Sequence, residues 1–401
     1  MPRAHLGVDV GGTFTDLVAT ADGEVVTAKV PSTPTDQSVG VMNAIQASGV
    51  APADVAAFAH GMTVATNALL ERRGARAALV TTEGFRDVLE ITRQNRPSLY
   101  DLTEDRPPAP VPRDLRYTVR ERTGRDGVLV PLDERTVRDV AALLREAEVE
   151  AVAVCLLFAF LHPEHEQRVG GILREALPAV HVSLSSDVLP EFREYERFAT
   201  TAADAYLAPR LAAYLGSLAR KLAEAGVPAP AVMQSSGGVT ELEEAARRAG
   251  AFVLSGPAGG VVGAAYVAGA SGYGDLLTFD MGGTSTDVAP VVGGTVATTT
   301  ESVVAGVPIR FPMVDVHSVS AGGGSIAWVD AGGALRVGPH SAGAHPGPAG
   351  YGKGGEDAAV TDANLFLGYL PDGATLGGEV VLRRDLAERA LARVGEGVGL
   401  G

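Results

Sequence analysis

With one cysteine, one tryptophan and three lysines in 401 residues, the chain is poor in the groups that mark several common activities. The lone cysteine, Cys155, excludes a disulfide within the chain and fits a reducing cytoplasm. It lies in the apolar run 151–160, which reads as a strand buried on both faces, so a core thiol is expected rather than a nucleophile. The lysines, Lys29, Lys221 and Lys353, are scattered, and 33 Lys plus Arg stand against 48 Asp plus Glu for a net charge of -15. No basic cluster is long enough to follow a phosphodiester backbone, so nucleic acid is not an expected partner. A signal-peptide start is also lacking, because Asp9 precedes any apolar stretch of that length. Residues 249–274 carry no charge and exceed the length of about 20 residues that a membrane span needs, but Gly256-Pro-Ala-Gly-Gly260 interrupts them. A strand, a tight loop and a small-residue helix in a protein interior fit that stretch, and no membrane association is expected.

Apolar sequence is plentiful: 46% of residues are hydrophobic and 20% charged, over a length that exceeds a single core. Two domains are expected, 1–190 and 200–401, divided where the charged run 190–197 leads into a long helix over 202–225. In the first, a hairpin over 5–10 and 16–20 precedes helices over 36–49 and 65–73, a strand over 77–81 and a proline-rich excursion around 107–112. An amphipathic helix over 133–147, the buried strand and a helix over 164–176 complete an alternating α/β pattern. The second domain reads as short strands over 231–234, 251–254 and 276–279. Glycine-rich loops follow from 322, with a helix over 361–367.

One segment occurs twice. Asp9-Val-Gly-Gly-Thr-Phe-Thr-Asp16 and Asp280-Met-Gly-Gly-Thr-Ser-Thr-Asp287 agree at six of eight positions, each after an apolar strand and each in its own expected domain. An approximate two-fold axis would set the two hairpins face to face across a cleft. Gly11, Gly12, Gly282 and Gly283 allow positive φ and a close backbone approach, so successive N–H groups can aim at phosphate oxygens. Thr13, Thr15, Thr284 and Thr286 add hydroxyl donors. Asp9 and Asp280 would repel phosphate directly, which points to a hydrated Mg²⁺ between acid and phosphate. A plain Gly-Gly turn with an Asx cap is the alternative for either copy alone. Neither copy is Gly-x-Gly-x-x-Gly, and no Gly-x-x-x-x-Gly-Lys-Ser/Thr is present, which disfavours dinucleotide and P-loop folds.

The paired hairpins resemble the phosphate motifs of actin, sugar kinases and heat-shock chaperone ATPases. Further segments resemble the hydantoinase A/5-oxoprolinase family: Val10 to Asp16, His60-Gly-Met-Thr-Val-Ala-Thr-Asn67 running on to Gly74, Gly84-Phe-Arg-Asp-Val-Leu-Glu90, Ser255 to Gly260, and Ser341 to Ala349. The resemblance implies an α/β, two-domain actin-like ATPase fold of the ribonuclease H-like kind. It also implies ATP and Mg²⁺ as cofactors and the ATP-dependent opening of a small cyclic amide of the 5-oxoproline or hydantoin class. The chain would be an α-type subunit beside a β-type, hydantoinase B-like partner. An acetone carboxylase β-type subunit, or a non-catalytic nucleotide-binding fragment, is the alternative. On this reading Asp9 and Asp280 hold Mg²⁺ and position attacking groups, while the glycines and threonines bind phosphates. His60, Thr63 and Asn67 stand where a strand meets a helix N-terminus, with His60 as acid or base and the other two in contact with substrate or phosphoryl group. Ser255 to Gly260 either offers N–H groups to an anion or lets helices pack closely. His317, His340 and His345 lack zinc spacing and read as loop residues. Family proteins continue into a Phe-Gly-Gly-Ala-Gly-Pro-type loop on the adenosine side. No such loop stands before Gly401, so the second domain is expected to be incomplete.

Overall fold

The computed structural model describes residues 4–400 apart from 13, 22, 34, 284, 320, 344 and 377–379. Apolar residues alternate along 4–10 and 14–21, and these segments pair antiparallel as β1 (Ala4–Val10) and β2 (Phe14–Ala21), extended by β3 (Glu24–Pro31). Helix α1 (Gln37–Ser48) begins where the Asp36 carboxylate accepts the Ser38 N–H and ends at Gly49 in the left-handed region, φ 72°. It covers one face of the three strands and returns the chain as β4 (Val55–Met62), parallel to β1, followed by the short α2 (Val64–Leu70).

Four further strands, β5 (Ala77–Thr82), β6 (Arg116–Val119), β7 (Ala151–Cys155) and β8 (His181–Leu184), form a parallel sheet in the order β8-β7-β5-β6. The amphipathic helices α3 (Glu134–Glu146) and α4 (Glu164–Ala176) connect its strands. Every residue of β5 and β7 is buried, the signature of a strand covered on both faces. Cys155 ends β7, and burial followed by the nearby Glu166 carboxylate pushes its thiol pKa well up, so it is a core thiol.

The long α5 (Glu194–Ala225) packs against α1, β5 and β7 and shares one continuous core with both sheets. The chain then adds β9 (Ala231–Met233) and β10 (Val239–Thr240) to the first sheet, giving β10-β9-β4-β1-β2-β3. Packing therefore does not divide at 190–200, because α5 packs on β5, β7 and β8 and on α1, and β9 takes the free edge of β4. The strand expected at 251–254 is also absent. Residues Ala249–Phe252 form a 3₁₀ turn whose Ala251 carbonyl accepts both the hydroxyl and the N–H of Ser235, at 2.7 and 2.9 Å.

The second copy of the repeat forms β11 (Leu276–Met281) and β12 (Thr286–Val292), with β13 (Thr295–Val296) and β14 (His317–Val319) also paired to β12. Helix α6 (Ser255–Ala270) packs on one face of this sheet, around Ala258, Val261, Ala289 and Val291. Three antiparallel strands with a parallel fourth beside the first, and a fifth beyond it, define the ribonuclease H-like order. Its beginning recurs at β11, so the chain has the α/β architecture of two-domain actin-like ATPases. Among the described residues no helix is long and apolar enough to cross a membrane.

Candidate nucleotide site between two matched hairpins

The two repeats share the same strand register and turn closure. Asp9 pairs with Asp16 and Val10 with Thr15; Asp280 pairs with Asp287 and Met281 with Thr286. Each turn is closed by its first glycine, Gly11 N–H to the Phe14 carbonyl at 3.0 Å and Gly282 N–H to the Ser285 carbonyl at 2.9 Å. None of Gly11, Gly12, Gly282 and Gly283 has positive φ, so the expected conformational reason for these glycines is wrong. Gly11 is required by close approach, since a Cβ there would stand 3.1 Å from the Phe14 carbonyl oxygen.

Around the first tip, Thr63 donates through both N–H and hydroxyl to the Val10 carbonyl, at 3.1 and 2.9 Å. The Asn67 amide donates to the Thr63 hydroxyl at 3.1 Å and lies beside Gly12. Thr63 and Asn67 thus lie beside the first hairpin tip. The start of α6 arrives at the same place. A Cβ on Gly256 would stand 3.2 Å from Thr63 Cγ2 and 4.0 Å from Asp9 Oδ1, and one on Gly61 only 2.8 Å from Asp9 Oδ1. Both glycines leave room for the carboxylate. Leu254 enters α6 at φ 68° and no side chain caps the helix, whose Ser255 hydroxyl donates instead to the Met62 carbonyl at 3.0 Å.

The second tip is held by a glycine loop. Gly323 and Gly324 N–H groups donate to the Gly282 and Gly283 carbonyls at 2.9 and 2.7 Å, and Ala342 N–H donates to Gly324. Gly324 could not carry a side chain, because its Cβ would meet Ser341 Oγ at 2.7 Å and the Gly283 carbonyl oxygen at 2.8 Å. The Ser341 to Ala349 motif therefore begins beside the hairpin. The Gly84 to Glu90 motif does not approach it; Asp87 and Glu90 are paired with Arg113 and Arg116.

Asp9 is open to solvent on one side and enclosed on the others. Partial burial raises its pKa, the charges of Asp16 and then Asp280 raise it further, and Lys29 offsets part of the effect. The Asp280 charge is thus near enough to Asp9 to act on its carboxyl. Two carboxylates that repel each other form a donor set suited to a hydrated divalent cation, and the hard oxygen ligands suit Mg²⁺. Among the described residues no three His, Cys, Asp or Glu side chains cluster as a closed metal cage.

Three expected contacts do not survive. His60 is fully buried, with Nδ1 3.2 Å from the Val8 carbonyl and Nε2 2.7 Å from the Tyr214 hydroxyl. Because a carbonyl only accepts, Nδ1 carries the proton and Nε2 accepts from Tyr214. Burial holds its pKa down to about 4, so it is a neutral core histidine on β4 and not an acid or base beside Asp9. Strand alternation turns it away, since its neighbour Gly61 faces Asp9. Thr15 and Thr286 are buried and bond inward, Thr15 to the Ser32 hydroxyl and Thr286 to the Ala321 carbonyl, so neither hydroxyl is offered to a phosphate. Thr13 and Thr284 lie outside the described residues. Unforeseen were Gly61, Tyr214 and Ser32, whose hydroxyl donates to the Gly11 carbonyl at 2.7 Å, and the Gly323–Gly324 support. Of these only the triple glycine 322–324 left a signal in the sequence.

The caprolactamase subunit alpha of Pseudomonas jessenii is 40% identical over 99% of this chain and 59% of its own length. The crystal structure of the ATP-dependent caprolactamase from that organism aligns with a TM-score of 0.85 at 39% identity, over 99% of this chain and 60% of that one. The nucleotide-free structure of acetone carboxylase aligns with a TM-score of 0.82 at 30% identity, over 100% and 60%. The 5-oxoprolinase of Saccharomyces cerevisiae is 35% identical over 91% of this chain and 32% of its own. The chain thus spans about three-fifths of the caprolactamase subunit and about a third of the 5-oxoprolinase. Residues 5–177 match the hydantoinase/oxoprolinase N-terminal region and residues 197–401 the hydantoinase/oxoprolinase model. On these matches, the chain belongs to the hydantoinase/oxoprolinase family.

Proposed function

We propose that the cleft binds Mg-ATP with its phosphates between the two hairpin tips, and that the chain is the ATP-using part of an assembly that opens a cyclic amide. One observation carries this reading. Asp9 and Asp280 occupy matched registers, and the charge of one reaches the carboxyl of the other. The backbone around Gly12 and Gly283 and the uncapped start of α6 supply N–H donors for phosphate oxygens. Asp9 and Asp280 would hold Mg²⁺ through water, and the ion would neutralise charge on the transferring group. Thr63 and Asn67 are the polar side chains placed to touch substrate or phosphoryl group, whereas His60 serves by fixing β4 behind Asp9.

An ATP-dependent caprolactamase and a 5-oxoprolinase among the relatives support a substrate of the 5-oxoproline or hydantoin class. An amide oxygen is a poor leaving group. Transfer of the γ-phosphoryl group to it, with ADP leaving, opens the carbon to water. The ring nitrogen then departs with a proton, and a second water releases phosphate from the acyl phosphate. A β-type subunit is the proposed partner, because the caprolactamase relative is itself a subunit. A cytoplasmic setting, consistent with the buried reduced Cys155, belongs to the same reading. The acetone carboxylase likeness favours one second reading, in which the same ATP site drives carboxylation of a ketone.

Calorimetric titration with Mg-ATP, followed by phosphate release with 5-oxoproline, hydantoin or caprolactam in the presence of the β-type subunit, tests the proposal. Lactam-dependent release supports it. Release that answers only to ketone and bicarbonate selects the carboxylase reading, and failure of the assembled protein to bind Mg-ATP removes both.

A further inference from the structure

The Gly84 to Glu90 motif leads away from the hairpins and into a separate cavity of about 1170 Å³, to which neither hairpin contributes a residue. One wall is the chain between Leu89 and Arg116. The other is the start of α5, at Tyr195, Glu196 and Ala199, together with Glu301 and the antiparallel pair Ser302–Val304 and Val307–Ile309. The first wall is held in a costly shape. Thr92 has φ 53° and ψ -136°, Gln94 has φ 57°, and across the cavity Arg193, just before α5, has φ 80°. Positive φ strains a β-branched residue most. Arg106 fastens the turn, its guanidinium donating to the Ile91 carbonyl at 3.3 Å, to the Thr92 hydroxyl and to the Asn95 carbonyl. Backbone strain that neighbouring contacts over-determine in this way is a mark of ligand clamps.

The charges divide between the walls. The first carries five arginines and three acids, the second two acids, Glu196 and Glu301, and no cation. Most of these groups already have partners. Arg93 holds Glu196 through two N–H groups, Arg116 pairs with Glu90 at 3.1 Å and Arg113 with Asp87 at 2.9 Å, while Glu104 and Asp105 adjoin Arg106 in the chain and offset it. Among the described residues Arg96 has no acidic partner, and the Glu301 carboxylate has only Arg310 at 3.7 Å, whose Nε makes no hydrogen bond. One wall thus offers a free guanidinium and the other a free carboxylate, with Leu89, Val303, Val307 and Pro308 supplying apolar surface. We propose that this cavity binds a small dipolar amino acid, its carboxylate on Arg96, its ammonium on Glu301 and its methylene chain on the apolar surface. A simple anion would meet Glu301 and a simple cation would meet Arg96, so a molecule bearing both charges suits the walls better than either. Opening a cyclic amide yields such a molecule, a carboxylate and an amine joined by a short chain. That the ligand is this product rests on the proposed function, whereas its dipolar class rests on the walls alone.

Calorimetric titration of the 401-residue chain with 6-aminohexanoate, the opened form of caprolactam, tests the site without ATP. A Kd below about 1 mM is expected, with hexanoate and hexylamine at least about tenfold weaker, because each gives up one charge-assisted contact. The two walls can be separated by substitution. Arg96→Gln should weaken 6-aminohexanoate by about tenfold and leave hexylamine unchanged, and Glu301→Gln should weaken it by about tenfold and leave hexanoate no weaker. Asp280→Asn should not alter the affinity, since the nucleotide cleft lies elsewhere. No binding by about 20 mM ligand, single-charge analogues that bind as well, either wall variant binding like the native chain, or loss of binding in Asp280→Asn would each overturn the proposal. Normal binding of the amino acid by a protein that does not bind Mg-ATP would strike the nucleotide reading and leave this site standing.

Discussion

In the first hairpin Asp16 is paired with the Lys29 ammonium at 2.6 Å and the Gly11 carbonyl with the Ser32 hydroxyl. In the second, Asp287 has the Ser318 hydroxyl and both glycine carbonyls have backbone N–H partners from Gly323 and Gly324. The first sits in a six-stranded sheet over a continuous core, the second on a short sheet with few buried residues. Yet register and turn closure are the same. The difference teaches that tip geometry belongs to the eight-residue motif, while stability and local charge belong to what each copy is packed against.

Matched substitutions can break or sharpen that comparison. The largest effect is expected at the acids: Asp9→Asn and Asp280→Asn should each lower ATP turnover by about 10²–10³ in a phosphate-release assay, with melting temperatures preserved. Loss at Asp9 alone would show that the two tips are not functional equals. Leu6→Ala should destabilise the chain by about 2–4 kcal/mol in denaturant titration, against within about 0.5 kcal/mol for the equivalent Leu277→Ala.

The backing of the first hairpin should also respond to acid. The folded pKa of His60, about 4, lies below its unfolded value of 6.5, so below pH 6.5 the unfolded chain takes up a proton that the folded chain refuses. The stability that depends on the neutral imidazole is complete above pH 6.5. It falls by up to about 3 kcal/mol as pH drops toward 4, and His60→Gln should flatten that part of the profile when urea midpoints at pH 7.5 and 4.5 are compared. The smallest effect concerns the turn carbonyl: Ser32→Ala should cost about 1 kcal/mol and leave the second hairpin's amide exchange unchanged.

The repeat and the alternating α/β order could be read from residue types and spacing, because they follow from local pattern, whereas Thr63 and Asn67 are singled out only through the family resemblance. What could not be read were facts about faces and neighbours. The inward turn of Thr15 and Thr286 depends on which side of each strand is covered, and His60 depends on Tyr214, which lies on a distant helix. The 3₁₀ turn at Ala249–Phe252 depends on Ser235 reaching across to Ala251. Nothing in the apolar run 251–254 announces that partner.

The position of β9 bears on how the chain folds as it is made. β4 emerges early, but its second neighbour, Ala231–Met233, is synthesised only after the whole of β5 to β8 and α5. Until residue 233 has left the ribosome, the central sheet has an unclosed margin, and the parallel pairing that closes it spans a long loop that forms slowly. A pause in translation beyond Thr240 would therefore favour the native sheet, and one before Ala231 would leave β4 open to wrong partners.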